Sequence, residues 1–118
     1  GSSLGGLMAI YAALDHSDTF GFTAAFSPAL AIEDMDGKNV LFEAIKRHKN
    51  SGNSKIYFDM GRMEYDNYDQ IEQLNNLLIK QGFKPENLKL VKDDLGRHCE
   101  VDWSRRFPAA LAWLRAGI

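Results

Sequence analysis

The sequence is short of cysteine, of net charge and of long apolar runs, and each shortage excludes something. The single cysteine, Cys99, rules out an intrachain disulfide and fits a reducing compartment, so a cytoplasmic location is expected. Fourteen Lys and Arg against sixteen Asp and Glu leave a formal net charge of −2. A nucleic-acid binder usually shows a clustered basic surface, so no nucleic acid is expected as partner. No stretch approaches the roughly 20 apolar residues that cross a bilayer, so no membrane partner is expected either. The longest apolar-rich segment, Leu4–Leu14, reads instead as a buried helix. The sequence shows no internal repeat, low-complexity tract or long linker, and no signal peptide is expected within it. At 118 residues, 45% apolar and 25% charged, the chain has the size and composition of one ordinary globular unit.

What is present alternates between helical and extended patterns. Leu4–His16 is small and apolar on nearly every side, which predicts a helix buried on more than one face. Phe22–Phe26 is a short apolar run halted by Ser27 and Pro28 and reads as a strand; Val40–His48 is amphipathic and helical; Lys55–Met60 reads as a strand ended by Gly61. Asn67–Gln81 carries Ile71, Leu74, Leu77 and Leu78 on one face, with Asp66 or Asn67 as cap and Gly82 as stop. Leu88–Val91 is the next strand, and Glu100–Ala116 a final helix that Pro108 is expected to kink or divide. This alternation predicts an α/β fold, a parallel sheet with helices on both faces. In such sheets chemistry collects at the carboxyl ends of the strands.

Three residues with chemistry fall at those ends. Gly1-Ser2-Ser3-Leu4-Gly5 fits G-x-S-x-G, the sharp strand-to-helix turn that presents a serine at a helix N-terminus. The flanking positions must be small because the turn leaves no room for a Cβ. Backbone N–H groups there favour a developing negative charge, and the N–H of Leu4 is the natural first oxyanion donor. Glu64 follows the second strand, in a group of carboxylates with Asp66 and Asp69, and His98 follows the third, in the loop Asp94-Leu95-Gly96-Arg97-His98. A lone loop histidine or helix-start carboxylate is usually just solvated. Serine, then acid, then histidine is however the chain order of α/β-hydrolases. Asp93 and Asp94 lack spaced partners for a metal, and none is expected.

The segments GSSLGGLMAIYAAL with FGFTAAFSPAL, then KIYFDMGRMEYDN, then GRHCEVDWSRRFPAALAWL resemble the putative esterase family of α/β-hydrolases, with its esterase D-like, feruloyl esterase and siderophore esterase branches. The resemblance implies a three-layer α/β-hydrolase-type sheet and a serine hydrolase that cleaves a small-molecule carboxylic ester through an acyl-enzyme, without cofactor. Ser3 matches the family nucleophile and His98 its general base. The acid position follows a strand and a glycine, G-x-x-D/E, which puts it at Glu64; Asp59, inside the strand, and Asp66 are the alternatives. Arg62 and Cys99 depart from the commoner residues at their positions. Ser27 and Trp103 are candidates for lining the substrate pocket, against the plainer readings of a Ser-Pro turn and a core aromatic.

Residues 1–118 are therefore expected to be the C-terminal part of a single α/β-hydrolase catalytic domain, starting at the nucleophile elbow. The strand leading into Ser3 and the loop that supplies a second oxyanion donor would lie elsewhere. Either the remainder of the same domain or a self-associating copy would have to complete the sheet. The competing expectation is a catalytically incompetent half-domain or interaction module that keeps the triad residues.

Overall fold

The computed structural model describes residues 1–48, 54–64 and 66–116. Along them run α1 (Leu4–Asp15), β1 (Phe22–Phe26), α2 (Val40–Arg47), β2 (Lys55–Gly61), α3 (Asp66–Lys80), β3 (Leu88–Asp93) and α4 (Glu100–Arg115). Short 3-10 turns occupy Arg62–Glu64 and Pro85–Asn87. The strands form one sheet in the order β1-β2-β3, every neighbour pair parallel. Gly1 and Ser2 run beside the end of β1: Ser2 bridges Phe26 in parallel sense, and the Phe26 N–H donates to Gly1 O at 2.9 Å.

Strand alternation divides the molecule into layers. On one face Ala25, Ile56, Phe58 and Met60 meet Leu7, Ile10 and Ala13 of α1, Leu41 and Ile45 of α2, and Ile71, Leu74 and Leu78 of α3. On the other face Phe26 and Tyr57 meet Ala110 and Leu114 of α4. The architecture is the expected α/β one, with three helices on one side and α4 alone on the other among the described residues. Asn39 starts α2 from both ends of its side chain. Its oxygen accepts from the Phe42 N–H at 3.1 Å, and its amide donates to Leu30 O.

Two expectations need correction. Pro108 does not divide the last helix, which runs unbroken from Glu100 to Arg115. Pro108 and Ser104, whose carbonyl loses the helical N–H, are both exposed, so water can take that hydrogen bond. Among the described residues helix α1 is buried on one side only. Gly6, Leu7, Ile10 and Ala13 pack inward, while Leu4 (60% exposed) and Met8 (63%) stand in solvent. Its neighbours within the described residues are β1 and α2, which cover a single face.

Candidate active site

Ser3 sits at φ 56°, ψ −121°, a conformation that non-glycine residues rarely adopt. Such strain costs about 1–3 kcal/mol and persists only where the surroundings over-determine it. Here they do. The Ser3 N–H donates to Phe26 O at 3.0 Å, and Ser3 O accepts from Leu7 and Ala29, each at 3.1 Å. A Cβ on Gly1 would fall 2.5 Å from Gly5 O, which is why the turn admits glycine there. Leu4 occupies the first position of α1, where an N–H has no intrahelical acceptor.

His98 is delivered by the loop after β3. Asp93 folds that loop, accepting the Gly96 N–H at its carbonyl (3.0 Å) and the Leu95 N–H at Oδ1 (3.2 Å). Asp102 holds the other side, accepting the Arg97 N–H at 2.7 Å. That N–H, reinforced by the Arg105 and Arg97 side chains, holds the Asp102 carboxyl well below the usual carboxylate range against the opposing effect of burial. The ring of His98 stands edge-on to Trp103, centroids 5.0 Å apart at 87°.

Glu64 comes from the 3-10 turn after β2, with its side chain 2% exposed. Its Oε2 accepts the Gly61 N–H at 2.6 Å and the Ser27 hydroxyl at 2.7 Å. Its Oε1 lies 2.5 Å from His98 Nδ1, and His98 Nε2 lies 3.0 Å from Ser3 Oγ. The acid turn and the histidine loop are pressed together by two glycines. A Cβ on Gly61 would fall 2.4 Å from Gly96 C and O, and the Met63 N–H donates to that same carbonyl at 2.9 Å. The arrangement has the connectivity of a nucleophile, a base and an orienting carboxylate. Among the described residues no group of His, Cys, Asp and Glu could hold a metal ion, and no helix is long and apolar enough to cross a membrane.

A family model described as "Putative esterase" matches residues 1–114. The chain belongs to the Putative esterase family. Among solved structures, the enterobactin esterase FES from Shigella flexneri in the presence of enterobactin superposes with a TM-score of 0.82 at 24% identity. The same protein in the presence of 2,3-di-hydroxy-N-benzoyl-serine gives 0.81 at 24% identity, and with 2,3-di-hydroxy-N-benzoyl-glycine 0.70 at 25%. These alignments cover 97% of this chain but only 29–30% of theirs. At that identity they establish the fold. A search of curated proteins gives no match.

Within this esterase-family chain, the remaining candidates fall out as follows. Asp59 is fully buried and turned away from His98: it accepts from Tyr57 Oη at 2.7 Å and the Ser27 N–H at 2.9 Å, and pairs with Arg106 at 3.0 Å. Burial pushes its carboxyl above the usual range, against the pull of those partners. Asp66 opens α3, but its side chain lies outside the described part of the structure. Among the described residues Ser27 is wholly buried: Trp103 and Arg106 of α4 cover its hydroxyl, which meets Glu64, so it presents no surface to a substrate pocket. Trp103 is half-buried and borders an apolar cleft of about 380 Å³ with Gly1, Ser2, Phe26, Ser104 and Phe107.

Sequence reasoning missed Arg106, Asp102 and the Gly61–Gly96 contact. Asp102, Arg106, Ala110 and Leu114 recur every fourth residue along α4 and are all buried. Two charges on the stripe that carries Ala110 and Leu114 were the available signal.

Proposed function

We propose that the chain carries the nucleophile, base and acid of a serine esterase. The observation that carries this reading is the His98 ring, 2.5 Å from Glu64 at Nδ1 and 3.0 Å from Ser3 at Nε2. Ser3 Oγ attacks the carbonyl carbon of a carboxylic ester while His98 Nε2 takes its proton. Glu64 keeps the other ring proton on Nδ1 and stabilises the imidazolium. The tetrahedral oxyanion faces the Leu4 N–H. The intermediate collapses to an acyl-enzyme as His98 protonates the leaving alcohol. Water, deprotonated by the same ring, then releases the acid. Membership of the esterase family and the likeness to a protein named as an enterobactin esterase support an ester as substrate.

The sheet is completed by the remainder of the same hydrolase domain. Matched structures extend well beyond the aligned part, and on its outer side β1 carries, among the described residues, Gly1 on Ala24 O at 2.8 Å and the bridge from Ser2 to Phe26. Around that side Phe20 (46%), Phe22 (49%), Phe107 (50%) and Leu111 (42%) are exposed. Apolar surface so grouped marks a contact. A second copy could occupy it instead, and sedimentation of the full polypeptide distinguishes the two, since only the copy makes mass depend on concentration.

The test of the activity is hydrolysis of a chromogenic acetyl ester by the full polypeptide, with a phosphonofluoridate as label. Ser3→Ala and His98→Ala each abolish most of the turnover, and the double variant is little worse than either alone, because triad members act as a unit. Full turnover by Ser3→Ala, or a label on another residue, overturns the reading. An unlabelled, inactive full polypeptide favours the non-catalytic module.

A further inference from the structure

Ser27 stands where the acid needs support and has no route to substrate. It is 0% exposed. Its Oγ lies 3.0 Å from Trp103 Nε1, 3.1 Å from Arg106 Nη2 and 2.7 Å from Glu64 Oε2. Indole and guanidinium N–H groups only donate, and a hydroxyl has two lone pairs and one proton. The two donors occupy both lone pairs, which leaves the proton a single direction, toward Glu64. Arg106 cannot swing away: it is 6% exposed and paired with Asp59 at 3.0 Å and Asp93 at 3.2 Å. The Ser27 backbone is pinned as well, at φ 44°, with its N–H on Asp59 Oδ1 at 2.9 Å. A serine in that region is uncommon, and a glycine would adopt it without penalty. The hydroxyl is what distinguishes the residue present from the one the backbone alone would favour.

We propose that Ser27 is a positioning residue for the esterase reaction, acting through Glu64. Its one-directional hydroxyl and the Gly61 N–H hold Oε2, and the rigid carboxylate plane then turns Oε1 to His98 Nδ1. Trp103 joins the two ends of this device, since its N–H sets the Ser27 proton and its ring meets the edge of His98. The inference rests on the reading of Ser3 and His98 as nucleophile and base.

The experiment uses the full polypeptide and a chromogenic acetyl ester, with Ser27→Ala and Ser27→Gly made in the parent and in Glu64→Ala. Glycine fits the backbone, so it removes the hydroxyl without adding strain. A hydrogen bond to a charged group corresponds to roughly a tenfold to hundredfold loss in kcat, with KM little changed. In the Glu64→Ala background the same substitutions should cost less than about threefold, because their route of action is gone. The far-downfield proton resonance of His98 Nδ1–H should shift or broaden in both single variants. An undiminished kcat in the folded variants, or the same loss with and without Glu64, overturns the proposal. If neither variant folds, Ser27 is a core residue and the proposal falls. Ser3→Ala, assayed alongside, separates the two claims. If it stays active, the esterase site itself is wrong; if it is dead while both Ser27 variants stay at parental rate, only the positioning role is wrong.

Discussion

Gly61→Ala tests how closely the acid turn and the histidine loop must approach. The added Cβ would sit 2.4 Å from Gly96 C and O and 2.9 Å from its Cα. Carbon atoms rest at about 3.5–4.0 Å, so the two segments must part by about 1 Å. Both sides of the contact are backbone, and no flexible side chain can give way. The displacement falls on the Met63 N–H bond to Gly96 O (2.9 Å) and on the Gly61 N–H bond to Glu64 (2.6 Å). Overpacking of this kind destabilises by about 1–3 kcal/mol. Misplacing a catalytic group by about 1 Å costs on the order of a hundredfold in rate. The full polypeptide carrying Gly61→Ala should therefore melt several degrees lower and turn over a chromogenic acetyl ester about a hundredfold more slowly. Gly21→Ala is the control, because its Cβ would meet nothing within 4 Å. Parental kcat and melting temperature in Gly61→Ala, or an equal loss in Gly21→Ala, would refute the reasoning.

Glu64→Gln should keep the fold yet lower kcat by roughly 10⁴-fold, since an amide facing Nδ1 favours the wrong tautomer of His98; steady-state rates with a circular-dichroism check measure it. Asp102→Asn should reduce stability at neutral pH by releasing the Arg97 N–H and loosening the His98 loop. The folded-state pKa of Asp102 is depressed, so its contribution is full above the unfolded carboxylate range and fades as pH falls through the folded value. The gap in melting temperature between Asp102→Asn and its parent should hold at pH 7 and narrow below about pH 4. A gap that widens in acid would contradict the assignment.

The elements were readable because each is written in local periodicity. Ile71, Leu74 and Leu78 recur on one helical face, and Lys55–Gly61 is bounded by a glycine that ends the strand. Every predicted helix and strand appears within a residue or two of its expected bounds. Ser3, Glu64 and His98 stood out as candidates for a similar reason, as residues that follow strand ends in the hydrolase order, and their side chains meet in the fold. Ser27 was not: its local neighbourhood, Phe26-Ser27-Pro28, is that of a turn. Its burial comes from α4, which begins 73 positions later and brings Trp103 and Arg106 over it.

Local pattern by itself thus determined the order of helices and strands, the parallel sheet and the candidate nucleophile, because hydrophobic period and glycine punctuation act over a few residues. The tertiary structure decided what no local pattern encodes. It put α1, α2 and α3 on one face and α4 on the other. It joined Gly61 to Gly96, two strand ends in backbone contact. It turned Asp59 toward Arg106 and Glu64 toward His98. Both carboxylates lie on one strand-and-turn segment, Asp59 before Gly61 and Glu64 after it. The partner that reaches each one through the packed sheet separates a buried ion pair from a carboxylate aimed at an imidazole.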